Sequence, residues 1–306
     1  MATQYLRQCS LVVSSIGGDG LDLSALRITF KVSQAYLQQP NTAEIRVWNL
    51  KPETSKKIEK EFTRVTLQAG YGNPAIIFDG TIVQLRRGRA NATDTYLDIT
   101  GLDGDAGYNY AIVFSALAAG ANKGAQFKVA ADAMAKYNVT VSQPPADDGK
   151  KSPRGQVMFG MARDYIQALS DTSSSTWSIQ DGKISVVKKD GFLPTQAVVL
   201  NSQSGMIGIP EQTVDGINVR SLLNPLFKYT GRVQINEGDI NRQAIALSKT
   251  GNIANGFIPR LVEDGFYRIV VVNHSGDTRG NDWYSDLVCI ALDDSAPKSF
   301  TDRGLN

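Results

Sequence analysis

The sequence predicts a mainly β protein with an α+β insert, in which two β-barrel or sandwich modules flank a small α+β domain. Near both ends of the chain apolar side chains alternate with a period of two, as strands with one buried face require. A helical period is sustained only in the middle. The composition agrees: 11 Tyr, 11 Phe and 28 Gly among 306 residues, beside many Thr and Val, suit strands joined by tight turns.

The first module is expected over residues 1–105. Ser10 to Ile16 reads as a strand closed by Gly17-Gly18-Asp19-Gly20, where glycine supplies the positive φ of a hairpin turn. Alternation at Leu26, Ile28, Phe30 and Val32, then at Ala43, Ile45 and Val47, marks two more strands. Pro52 fits the first turn of a short helix running to about Phe62, because its missing N–H has no partner there in any case. Strands resume at Val65, Leu67 and Ala69, turn at Gly70-Tyr71-Gly72-Asn73-Pro74, and continue through Ile76 to Leu85 and Tyr96 to Thr100. The cluster Arg86-Arg87-Gly88-Arg89 is placed at the hairpin tip between the last two, as a solvated turn.

Residues 106–190 form the α+β insert. Phe127, Ala130, Ala131 and Met134 share one helical face, and Met158, Met161, Ala162, Tyr165 and Leu169 share another. The methionines read as core filling. Thr176 to Gln180, Asp181-Gly182 and Lys183 to Val187 make a two-residue hairpin with Trp177 and Ile179 facing Ile184 and Val186. In the second β module, 191–306, strands fall at Val198–Leu200, Met206–Ile209, Ile217–Val219, Val233–Ile235, Phe266–Asn273 and Trp283–Leu292. The loop His274 to Asp282 joins the last pair, and Ser295 to Asn306 is a polar tail.

No catalytic, cofactor or metal set emerges. The 32 basic and 30 acidic residues give a formal charge of +2, too little to hold the protein on DNA or on an anionic membrane. No signal peptide or membrane-crossing run is found, which implies cytosolic synthesis and no membrane insertion. Cys9 and Cys289, near opposite ends, read as buried reduced thiols. His274, the single histidine, reads as a turn or interface residue, and one histidine excludes zinc sites that need two. Gly101-x-x-Gly104-x-x-Gly107 and Gly149-Lys150-Lys151-Ser152 both miss the spacing of phosphate-binding loops. Asp103, Asp105, Asp147, Asp148, Asp293 and Asp294 read as turn formers.

Ala43-Glu44-Ile45-Arg46-Val47-Trp48-Asn49-Leu50, then Pro52-Glu53-Thr54, Val65 to Tyr71 and Phe78-Asp79-Gly80-Thr81-Ile82 follow one another in an order that resembles the baseplate hub family of contractile-tailed, Mu-like bacteriophages. Ile207-Gly208-Ile209-Pro210, Val219 to Pro225 and the turn from Gly276-Asp277 to Trp283 resemble the same family. The resemblance implies two tail-tube-like β modules per chain and a homotrimer whose six modules ring a channel for DNA, which passes without sequence-specific binding. It also implies contacts with the tail tube protein, the spike, the tape measure protein and other baseplate proteins in the virion, and a structural, non-enzymatic role without cofactors. Two other readings stand beside it: a tail-tip cell-wall hydrolase built on the carboxylates, and a receptor- or glycan-binding β protein using aromatic turns around Tyr71, Trp177 and Trp283.

Overall fold

A computed structural model describes residues 6–15, 20–35, 40–72, 74–213, 216–236, 238, 240 and 265–291. The expected turn at 17–19, Asn73, Asp293, Asp294 and the tail from 295 lie outside the described residues.

The chain opens with β1 (Arg7–Ser14), β2 (Gly20–Asp22), β3 (Ile28–Ala35) and β4 (Thr42–Trp48), then α1 (Pro52–Glu61), β5 (Arg64–Tyr71), β6 (Ala75–Arg89) and β7 (Thr95–Leu102). Pro52 does begin α1. The arginine cluster, however, lies within the end of β6, paired in register with β7, because the tip of this hairpin falls later, at Ala90 to Asp94. There Asn91 accepts the backbone N–H groups of Thr93 and Asp94 at 2.9 and 2.6 Å, so the Asx turn forms beyond the arginines.

The middle of the chain holds α2 (Asp105–Tyr110), β8 (Ile112–Leu117), α3 (Lys123–Ala135), β9 (Thr140–Gln143), β10 (Gln156–Met161), α4 (Ala162–Thr172), β11 (Ser175–Gln180) and β12 (Lys183–Lys188). Phe127, Ala130, Ala131 and Met134 are buried on α3 as their spacing predicts. The second helix starts later than its apolar spacing suggests, since Met158 and Met161 belong to β10, which pairs with β8. Met158 still fills the core. Trp177 faces Val186 and Ile179 faces Ile184 across the Asp181-Gly182 turn, where both residues have positive φ.

The last elements are β13 (Val198–Leu200), β14 (Met206–Thr213), β15 (Gly216–Leu222), β16 (Arg232–Ile235), β17 (Phe266–Asp277) and β18 (Trp283–Ala291). His274 therefore stands inside β17 rather than in a loop, because the strand runs on to Asp277 and pairs on both sides.

Two five-strand units share one topology. β3-β4-β7-β6-β5 lie side by side in that order, and so do β14-β15-β18-β17-β16, with the same antiparallel neighbours and the same order along the sequence. One irregularity coincides as well: β6 is bulged between Ile82 and Gln84, and β17 between Ile269 and Val271, at matching steps of the ladder. The units are not separate sheets. β17 pairs with β3 from Val271–Ala35 to Asp277–Thr29, so a single 13-stranded sheet crosses both.

Among the described residues, apolar side chains form three buried clusters, one built mainly from β1 to β7, one from 111 to 186, and one from 200 to 291. Leu223 and Trp283, from the last part of the chain, sit in the first cluster, where Trp283 is fully buried edge-on to Phe30 at 5.5 Å between ring centroids. The α+β part is tied in by polar groups. Asp103, 1% exposed, accepts the N–H groups of Asp181 and Gly182 at 2.6 and 2.8 Å, while Asn41 donates to the Ile179 carbonyl at 3.0 Å. Lys228 then joins all three parts, donating to Asp181 at 2.8 Å and to the Ile76 carbonyl at 3.0 Å.

Two predictions follow from this core. Trp283→Ala should cost about 3–5 kcal/mol, the range for deleting a buried aromatic side chain; a shift in urea unfolding of under about 1 kcal/mol would show that the indole does not bind the two β units together. Burial pushes the Asp103 carboxyl up to about 7, and the N–H donors of Gly182 and Asp181 only partly oppose it. A raised carboxyl stabilises the fold while protonated, so this contribution is complete below about pH 4 and is lost as pH rises through about 7. The midpoint of urea unfolding should fall between pH 5 and 8, and Asp103→Asn should flatten that slope; an equal slope in both proteins refutes the assignment.

Candidate assembly surface

Each strand of the continuous sheet turns alternate residues to opposite faces. Ile28, Phe30 and Val32, Ala43, Ile45 and Val47, Leu97 and Ile99, and Trp283, Leu287 and Cys289 point into the cores. The residues between them form the opposite face, which is polar and runs without a break from β14 to β6.

That face is organised by arginine–aspartate pairs bridging neighbouring strands. Arg46 on β4 grips Asp98 on β7 at 2.6 and 3.0 Å, and Arg220 on β15 grips Asp286 on β18 at 2.6 and 3.1 Å. These two pairs occupy the same place in the two β units. In each, the arginine lies directly opposite its aspartate, and a tyrosine two residues before the aspartate, Tyr96 or Tyr284, lies under the guanidinium, at 4.1 and 5.6 Å from the ring centroid. A third pair closes the seam between the units: Arg27, just before β3, holds Asp277 at the end of β17 at 3.2 and 2.7 Å.

Planar two-point contacts of this kind fix geometry more than they add stability, because the side chains are partly solvated. The Asp277 carboxyl is nonetheless held below the usual carboxylate range by Arg27, and hydrogen bonding to their aspartates keeps Arg27, Arg46 and Arg220 firmly charged. Between the pairs, over the junction of β17, β3, β4 and β7, lies an open trough of about 350 Å³. Its walls mix Lys31, Arg46 and Arg86 with Glu44, Asp98, Asp277 and Asp282, so the signs interleave and no single-sign field develops.

The groups that could carry chemistry are elsewhere. His274 is buried, its Nδ1 2.8 Å from the Ser285 hydroxyl, and burial lowers its pKa to about 3. Ser285 is itself fully buried, so this pair is sealed from a substrate. Cys289 is fully buried, whereas Cys9 is only partly so; both are free thiols, and burial raises Cys9 to about 12. Asp147 and Asp148 shape a turn by accepting the N–H groups of Gly149 and Lys150, and Asp105 accepts a bond from Asn109. Trp177 is tied to Gln167 and stacked on Tyr108 inside the α+β part, and Trp283 is core. Among the described residues no group of three or more His, Cys, Asp or Glu is placed to hold a metal, and no helix is long and apolar enough to cross a membrane.

A family model described as baseplate hub gp41 matches residues 12–244. Solved structures share the fold at low identity. The 43-kDa tail protein of prophage MuSo2 from Shewanella oneidensis superposes with a TM-score of 0.59 at 8% identity, over 95% of this chain and 99% of that one. A tail protein from Neisseria meningitidis does so at 0.56 and 9%, over 94% and 97%. An Escherichia coli component of the type VI secretion system, described as structurally similar to the T4 bacteriophage tail proteins gp27 and gp5, gives 0.51 and 9%, over 96% and 79%. No curated protein sequence matches. With the family model covering most of the chain, and a sheet-rich fold that phage tail proteins share end to end, this chain belongs to the baseplate hub gp41 family of phage tail proteins.

Proposed function

We propose that the chain is the subunit of a ring at the base of the phage tail, three copies of which present six β modules around a channel. The observation that carries this reading is the duplicated unit: the same five-strand topology occurs twice, with matched bulges and matched Arg–Tyr–Asp sets, and the two are fused into one sheet. A protein that is threefold by chain and nearly sixfold by module can meet a sixfold tail tube on one rim and a threefold spike on the other. Its interior would also contact the tape measure protein, and its outer surface other baseplate proteins. The role is structural, in the virion, after assembly in the host cytoplasm.

The polar face of the sheet is the surface that would line the channel. DNA binds protein most strongly where unpaired lysines and arginines displace its counterions. Here Arg27, Arg46 and Arg220 each carry an aspartate in two-point contact. Such a lining passes a polyanion without holding it.

Two measurements test the reading. Sedimentation and electron microscopy of the purified chain should give three copies around a central pore; a protein that stays monomeric at every concentration tried, and fails to join tube or spike protein, overturns it. Duplex DNA should be poorly retained at physiological salt. Asp98→Asn with Asp286→Asn, which strips Arg46, Arg86 and Arg220 of their countercharge, should raise non-specific DNA affinity by about tenfold or more in a salt-dependent manner. An unchanged affinity would remove the polar face from the channel.

A further inference from the structure

The seam inside the chain specifies a second seam between chains. β17 and β6 are equivalent strands, and each is long enough to serve two neighbours along one edge. The early part of β17 pairs with β16 at Phe266 to Arg268, and its later part pairs with β3 at Val271 to Asp277. The early part of β6 likewise pairs with β5, from Ala75 to Thr81. Beyond Thr81 the same edge of β6 has no strand partner among the described residues. At the other end of the sheet, β14, the equivalent of β3, pairs with β15 and has no partner on its outer edge among the described residues.

We infer that the later part of β6 in one copy pairs antiparallel with β14 of a second copy, repeating between chains the β17–β3 seam found within one. This rests on the ring reading above and gives it a register. Arg86 and Asn273 are equivalent, since each lies opposite the aspartate of its Arg–Asp pair, Asp98 or Asp286. Within the chain Asn273 faces Ser33, and Ser275 faces Lys31. Lys31 lies opposite Glu44 and Glu211 opposite Asn218, and Glu44 and Asn218 each precede the paired arginine by two residues. Glu211 is thus the counterpart of Lys31, and by the same count Thr213 is the counterpart of Ser33.

The second seam therefore sets Arg86 opposite Thr213 and Gly88 opposite Glu211. Arg86 then lies diagonal to Glu211 on the polar face, at the roughly 7–8 Å that long side chains span. The charges complement each other, as a second copy of this chain requires: Arg86, loosely paired with Asp98 at 3.8 Å and still largely exposed, lies on one edge, and Glu211 is exposed on the other. β14 also carries the devices that keep an open edge from indiscriminate pairing. A bulge between Ile207 and Glu211 contains Gly208 at φ +73° and Pro210, which has no N–H to offer. Only the Glu211–Thr213 end is left regular, so it sets the register.

Paired cysteines in the full chain, with Cys9→Ser as background, test this. Arg86→Cys combined with Thr213→Cys should give, on mild oxidation, reducible products ending at three linked chains, while each single variant gives far less. Arg86→Cys with Glu211→Cys, two residues out of register, should link weakly. A wild-type protein that is trimeric but gives no linkage in the first pair, or stronger linkage in the second, overturns the pairing and leaves the ring reading intact. A monomeric wild type overturns both. Should the cysteine pair fail to fold, Glu211→Arg decides: about tenfold weaker self-association by sedimentation is expected, and unchanged association overturns the pairing.

Discussion

The antiparallel seam between β17 and β3 is the contact on which the rest of the molecule depends. It joins residues about 240 positions apart in the sequence and makes one sheet of two units, each of which would otherwise present an open edge. Its hydrogen bonds alone would not fix the register, because sliding a strand by one residue turns every side chain to the other face. Packing fixes it. Gly276 on β17 leaves no room for a Cβ, which would stand 2.4 Å from the Phe30 ring and 2.9 Å from Trp283. Arg27 then fastens the end of the seam to Asp277.

Fusion in this way makes the polar face continuous and leaves the α+β part outside the sheet. That part attaches through Asp103, Asn41, Lys228, Gln180 and the buried Arg268, by hydrogen bonds and an ion pair, rather than by merging its apolar cluster with the others. A polar joint is directional: it holds the domain at one angle but gives little hydrophobic adhesion.

The strands were legible wherever one face is buried, because alternation at Ile28 to Val32 or Ala43 to Val47 follows directly from a half-buried sheet. The Asp181-Gly182 hairpin was legible for the same reason, with turn chemistry added. Met158 misled because a helix and a strand both bury it, so spacing alone could not separate the end of β10 from the start of α4. His274 misled because Ser275, Gly276 and Asp277 look like a turn, yet each has partners on both β3 and β18 or its tip. The duplication was invisible as a sequence repeat, since core positions need only be apolar and of suitable size. A faint signal did exist: Tyr96-x-Asp98 and Tyr284-x-Asp286, each matched by an arginine on the neighbouring strand, Arg46 and Arg220.

Those three residues also explain how two units of different sequence keep one sheet geometry. A seam between strands is mostly backbone, so it tolerates almost any side chains provided register and twist agree. Register and twist are what the retained features control: the bulges at Val83 and Val270 bend β6 and β17 at the same step, and the Arg–Asp pairs lock the next two strands beside each bend. Everything else has been free to differ. The first unit carries α1 where the second carries the Asn224–Gly231 turns, so the two units differ outside the five strands while the strands keep one geometry.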